Sequence, residues 1–377
     1  MAVDATAIPP RQTGAGVYAA RLLAALGQRA GQPGGGQRLE VFVAPGSAAS
    51  LAAPGLRLHP VAAAGWHRVA RIAWTQVRSG RAATRVGADV LHGVHYELPL
   101  AGGPPAQVVT VHDLTLLTHP EWHERAKVAY FGRAMSRAVR RATRVLCVSA
   151  TTAKDLVDVL GVDQDRIDVT PLGTDLVQAG EAEVAAVRAR LGLTGPYLLG
   201  LGTLEPRKDL PGLIAAFAEL ARHGELPHDL VLAGLPGWGS GAVAEAVAAS
   251  GVAERVRLAG WVPEADKAAL FTGADAFAYP SRYEGFGLPV LEAMACGTPV
   301  VTTTGGSLPE VAGDAALLVE PGDRDALTAA LRRLTGEPAT RDALVAKGLA
   351  SAAEWTWARC AERTAAAYAR AAAAARG

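Results

Sequence analysis

The chain has 377 residues, half of them apolar and 19% charged, with a formal net charge of +1. At about 150 residues per domain that length predicts two domains with cores of their own, and the composition excludes a disordered chain. The near-neutral total hides a split, since residues 1–177 carry 19 Lys and Arg against 13 Asp and Glu and the remainder 18 against 23, a bias too small for a nucleic-acid-binding protein.

The opening MAVDATAIPPRQ holds an acid at Asp4 and no basic segment ahead of an apolar one, so it does not read as a secretory signal. No uncharged stretch of about 18 residues escapes Gly and Pro, which argues against a membrane-spanning helix. Cys147, Cys296 and Cys360 show no CxxC pairing, so buried thiols in the cytoplasm are expected and neither a disulfide framework nor a zinc site.

A first strand, AVDATAI, is followed by Gln12 to Leu26, in which Gly14 and Gly16 precede a helix. Short apolar runs then recur at Leu39–Val43, Val90–Leu91, Val108–Val111 and Val145–Val148, with helical stretches such as Tyr18–Leu26 and Tyr130–Arg141 between them. That alternation predicts a parallel sheet covered by helices on both faces. His92 and His95 follow one strand and could line an acceptor side; His112 ends another, where ligands of such sheets bind.

Two segments of this half are basic. Arg68, Arg71, Arg78, Arg81 and Arg85 interleave with Trp66, Val69, Ile72, Trp74 and Val77, the pattern of a basic amphipathic helix that can lie on an anionic membrane. Arg133, Arg137, Arg140, Arg141 and Arg144 form the second, beside Tyr130 and Phe131. Solvated outer faces of ordinary helices are the first reading of both, and membrane contact the second.

Pro171 and Gly173 in TPLGTD punctuate the chain at Thr170–Asp175, where a linker is expected. A second strand series follows at Tyr197–Leu201, Leu230–Ala233, Val256–Leu258, Ala276–Tyr279, Pro299–Thr302 and Ala316–Val319. The predicted organisation is residues 1–176, residues 177–354 and a last helix at 355–377, with two doubly wound sheets facing across a cleft. DxD strings at Asp163–Asp165 and Asp323–Asp325 fall in expected surface loops, and no metal site is assigned to them.

Two motifs carry chemistry. Tyr197–Leu210 (YLLGLGTLEPRKDL) is a strand, a Gly turn and two cations opening a helix; Glu205 stands where a dinucleotide fingerprint needs Gly. Arg207 and Lys208 suit a phosphate clamp, a bidentate fork beside a point charge. Ser281–Pro299 (SRYEGFGLPVLEAMACGTP) follows a strand, with Gly285 and Gly287 in a tight loop and Pro289 at a helix start. Amides of Gly287, Leu288 and their neighbours would form an anion site at the helix N-terminus. Glu284 and Glu292 beside it suggest acceptors for sugar and ribose hydroxyls.

The string EGFGLPVLE resembles the E-x7-E element of the retaining family 4 glycosyltransferases, which have the GT-B fold, two Rossmann-like domains facing across a cleft. EPRKD is similar to the family's EPRKN, with Asp209 adding a negative charge; QTGAGVY is similar to its TGxGxY loop, and VVTVHDL to its HD element. Further matches at Ser149, Gly260–Phe271, Gly305–Leu318 and Trp355–Thr364 extend the resemblance over nearly the whole chain.

The resemblance implies that His112 and Glu284 are catalytic and position the donor sugar. Donor binding would fall to Gly16, Arg207, Lys208, the amides of Phe286, Gly287 and Leu288, and Glu292 on the ribose. It implies a metal-independent retaining transfer of a hexose from a nucleotide-diphosphate sugar to a hydroxyl acceptor, a glycan, glycolipid or small glycoside, and the TVHDL and SLPEV contexts lean toward mannose from GDP-mannose. A sugar-nucleotide 2-epimerase and a non-catalytic sugar-nucleotide binding subunit are the competing readings. A cytoplasmic enzyme is expected, with peripheral contact to the inner membrane face through its basic N-terminal half.

Overall fold

In a computed structural model describing residues 1–9, 14–31, 38–48, 51–62 and 68–376, the chain forms two compact units. One comprises Met1–Gly173 with Thr356–Gly377, the other Thr174–Trp355. Gln12 and Trp66 of the sequence motifs lie outside the described residues.

The first unit holds strands β1 (Ala2–Ala5), β2 (Leu39–Val43), β3 (Leu56–Pro60), β4 (Val90–Gly93), β5 (Ala106–Val111), β6 (Arg144–Cys147) and β7 (Ile167–Val169). They pair in parallel in the order β3-β2-β1-β4-β5-β6-β7, with Val3 opposite Val41 on one side and His92 on the other. β1, β2, β4 and β5 are buried at every position, as a sheet covered on both faces requires. β3 and β7 were not apparent as apolar runs. Both are edge strands, and their residues are mostly half-buried.

The second unit repeats the scheme with β8 (Tyr197–Leu201), β9 (Asp229–Ala233), β10 (Val256–Gly260), β11 (Ala276–Tyr279), β12 (Val300–Thr303) and β13 (Ala316–Val319), in the order β10-β9-β8-β11-β12-β13. Each sheet reverses direction of winding once, between β1 and β4 and between β8 and β11. Open α/β sheets bind ligands at that switch point, beyond the carboxyl ends of the strands.

The C-terminal helix Trp357–Ala374 belongs to the first unit and packs along the helix Ala15–Ala30 and on strands β4 to β7. Gly173 lies where the outgoing chain passes the returning one; a Cβ there would stand 2.2 Å from the backbone of Thr356, so only glycine fits.

The first basic segment is not one regular helix. It is Arg68–Ala73, a π turn Trp74–Arg78, and Ser79–Arg85. Arg71 points inward to Glu97 at 2.8 Å, a correction to its place on a basic outer face, while Arg78, Arg81 and Arg85 are exposed. In the second segment Arg144 pairs with buried Asp168. Both DxD strings cap helical turns: Asp163 accepts from the amide of Asp165 and Asp323 from that of Ala326. All three cysteines are buried and free, and burial pushes their thiols up.

Candidate active site

In the second unit the loops after β8 and β11, the two strands at the switch point, are hydrogen-bonded to each other. The amide of Arg282 donates to the carbonyl of Arg207 at 2.8 Å, and Arg207 Nη1 to that of Tyr283 at 2.7 Å. The β8 loop runs through Gly202 into a 3-10 turn Pro206–Lys208 and the helix Leu210–Arg222. Asp209 between them is left-handed, at φ 47°, a conformation that Asn and Asp tolerate better than most residues. Its carboxylate accepts from Arg282 at 3.3 Å, so the charge added by Asp is met by Arg282.

Glu284 is the centre of this site. Oε1 accepts from Lys208 Nζ at 2.5 Å, Ser281 Oγ at 2.5 Å and Tyr279 OH at 2.9 Å, and Oε2 from Arg207 Nη1 at 2.6 Å. Lys208 also donates to Tyr279 OH at 2.5 Å, and Arg207 Nη2 to Glu205 at 2.9 Å. Burial pushes the Glu284 carboxyl up, but the two cations and the Lys208 and Ser281 hydrogen bonds overcome it and hold the group at about 2. Burial and Arg207 push Lys208 down against the pull of Glu284. The arrangement is a buried anion carrying two cations that an incoming diphosphate can engage.

Gly287, at φ 96°, turns the chain into the helix Leu288–Ala295 with Pro289 in its first turn. Phe286 is buried with its ring 5.6 Å from that of Trp355, and Leu288 is buried too, so both side chains anchor the loop whose amides begin the helix. Glu292, 3% exposed, is bonded by Lys267 Nζ at 3.1 and 3.4 Å. Tyr279, Ser281 and Lys267 were not singled out from the sequence. The first two precede Glu284 by five and three residues, Tyr279 ending β11 and Ser281 in the loop after it, a signal that was available; nothing local marks Lys267.

In the first unit His112 follows β5 at the carboxyl edge. Nε2 faces the carbonyl of Val94 at 3.0 Å, so it carries the proton and leaves Nδ1 as the acceptor. Burial lowers its pKa despite that bond and nearby Asp113, so the ring is neutral. Tyr18 and Tyr96 meet it edge-on, at 4.9 and 5.6 Å between centroids. Asp113 accepts from the amide and hydroxyl of Thr115 and starts the next short helix. Gly16 is buried in the first turn of Ala15–Ala30.

The two histidines expected on an acceptor side differ. His92 is a core residue, fully buried between Tyr368 OH at 2.7 Å and Thr110 Oγ1 at 2.8 Å. His95 is half-buried beside Tyr96 and 5.8 Å from the His112 ring.

The model for glycosyl transferases group 1 matches residues 185–350, and that for glycosyltransferase family 4 matches residues 13–178. O-antigen chain mannosyltransferase B of Escherichia coli is 35% identical over 282 residues, 74% of this chain and 74% of its own length. The protein belongs to the group 1 glycosyltransferases.

Two further relatives align over a smaller share of each chain. MMP alpha-(1->4)-mannosyltransferase of Mycolicibacterium hassiacum is 32% identical over 63% of this chain and 56% of its own. D-inositol 3-phosphate glycosyltransferase of Nocardia farcinica is 36% identical over 59% and 52%. Among solved structures, sucrose-phosphate synthase from Thermosynechococcus elongatus superposes with a TM-score of 0.78 at 22% identity, and Anabaena HepE in complex with UDP and glucose with 0.75 at 17%, each over 98% of both chains. The glycosyltransferase has the GT-B fold, built from two Rossmann-like domains.

Proposed function

We propose that this glycosyltransferase moves a hexose, mannose, from a nucleotide-diphosphate sugar to a hydroxyl of a glycan, glycolipid or small glycoside, with retention of configuration. The observation that carries the reading is the convergence of Arg207 and Lys208 on Glu284 at the switch point of the second unit. The mannosyltransferases among its relatives support the sugar, and UDP bound to a neighbour of the same fold supports a nucleotide donor.

In this reading Arg207, Lys208 and the amides of Phe286, Gly287 and Leu288 take the diphosphate, Glu292 the ribose, and Gly16 a place beside the donor. Glu284, released from its cations, accepts from the sugar's hydroxyls, and His112 steadies the same sugar through Nδ1. The anomeric carbon's bond to the diphosphate oxygen breaks as its bond to the acceptor oxygen forms on the same face, and the acceptor's proton passes to the departing oxygen. The two cations offset the developing charge by preorganised electrostatics, and the transfer is metal-independent. The enzyme works in the cytoplasm, in contact with the inner membrane face through Arg78, Arg81 and Arg85.

The first experiment offers UDP-, GDP- and ADP-sugars in EDTA and follows products by mass spectrometry. GDP-mannose alone should be consumed, slowly by water and faster with acceptor, and Glu284→Ala should abolish both. An isomerised sugar nucleotide would favour the epimerase, and binding without turnover a non-catalytic subunit. An inverted anomer in the product would overturn retention.

A further inference from the structure

Glu292 and Lys267 sit on different helices, Leu288–Ala295 and Glu264–Thr272, and meet because the second is the crossover from the edge strand β10 back to β11, the strand that the first helix follows. Lys267 Nζ reaches both oxygens of Glu292, at 3.1 and 3.4 Å, and is fixed from its own helix by Glu264 Oε2 at 3.0 Å. Its side chain is only 13% exposed and that of Glu292 4%. Burial pushes the lysine down, yet the two carboxylates hold it above its ordinary value, so the ammonium stays charged.

We propose that Lys267 is the positioning residue of the nucleotide site, orienting Glu292 for the donor's ribose hydroxyls. The inference rests on the assignment of the ribose to Glu292. An ionised carboxylate has about four acceptor positions; a two-oxygen grip by one ammonium uses part of them and sets the plane of the rest. Without Lys267 that plane is no longer fixed, and a diol meets the remaining acceptor positions less well. Glu264 completes the device by fixing the lysine rotamer across one helical turn.

The test compares each nucleoside diphosphate with its 2′,3′-dideoxy analogue by calorimetry, using whichever of GDP, UDP and ADP binds best. The readout is the ratio of the two Kd values, which general damage to the fold leaves unchanged. Wild type should prefer the ribose form by about tenfold, the worth of a charged hydrogen bond at the lower end of its range. Glu292→Gln and Lys267→Met should both bring the ratio to about two, and Lys267→Arg should restore it, since Arg keeps the charge and two-point reach. If Lys267→Met keeps the wild-type ratio while Glu292→Gln loses it, the role of Lys267 is overturned and the ribose assignment stands. If wild type shows no preference, or Glu292→Gln keeps it, the ribose assignment itself falls.

Discussion

Glu284 accepts four side-chain hydrogen bonds, two of them from the cations assigned to the donor diphosphate. Carboxylate and diphosphate therefore compete for Arg207 and Lys208, and a neutral residue at 284 should separate the two roles. Glu284→Gln leaves the buried Lys208 ammonium without its main counter-ion, and breaking such a pair costs about 3 kcal/mol. The expected outcome is a lower Tm in the absence of ligand, together with a larger rise on adding inorganic pyrophosphate than in wild type, because the anion meets no rival. Equal rises in both proteins would mean that the two cations are not the seat of the diphosphate. The residues of this cluster were legible unevenly. Arg207, Lys208, Glu284 and Glu292 stand in motifs where a strand, a glycine turn and a helix follow in order, so sequence alone marks them. Lys267 meets Glu292 across 25 positions, a proximity created by sheet order and invisible to any local pattern.

At the scale of elements, strands covered on both faces are legible because they are mostly apolar, as in β5 and β11. The edges of the first sheet are not: β7, with one neighbour, needs no such run, and Ile167–Val169 reads as part of a polar loop. The basic segment shows the same limit in a helix. Its periodicity predicts one helix with a basic face, whereas a π turn interrupts it at Trp74–Arg78, Arg71 turns inward to Glu97, and Val69 and Val77 are 70% and 57% exposed. Arg78, Arg81 and Arg85 line a groove of about 410 Å³ with Phe42 and Trp74. Three exposed arginines along one groove suit the proposed contact with an anionic bilayer, where each cation is worth about 1 kcal/mol. Changing all three arginines to glutamate should therefore lower co-sedimentation with phosphatidylglycerol vesicles by at least about a hundredfold. Wild-type binding should also weaken with salt. Undiminished binding by the triple variant would remove the membrane from this face.

The molecule as a whole is built so that its first unit closes last. The chain leaves that unit at Gly173, forms the second, and returns at Thr356 to add the helix Trp357–Ala374. The seam includes a buried polar chain: Tyr368 of this helix meets His92, 276 residues earlier, and Thr110 links His92 to Tyr18, whose ring abuts His112. Burial, with a small contribution from His112, holds His92 down at about 3. The unfolded chain therefore takes up a proton below about pH 6.5 that the folded chain refuses. Stability then falls as pH drops from about 6.5 toward 3, by about 1.4 kcal/mol per pH unit for this one group, and is independent of it above that window. His95 and His112 are lowered in the same direction, so His92→Gln should reduce the acid slope of urea stability between pH 6 and 4.5 by about 1.4 kcal/mol per unit without abolishing it. Tyr368→Phe should act differently: it leaves a buried ring nitrogen unpartnered and costs about 1–3 kcal/mol already at neutral pH. An unchanged acid slope in His92→Gln would mean that the histidine charges within the fold, and that the seam between the returning helix and β4 opens to water before the rest of the unit.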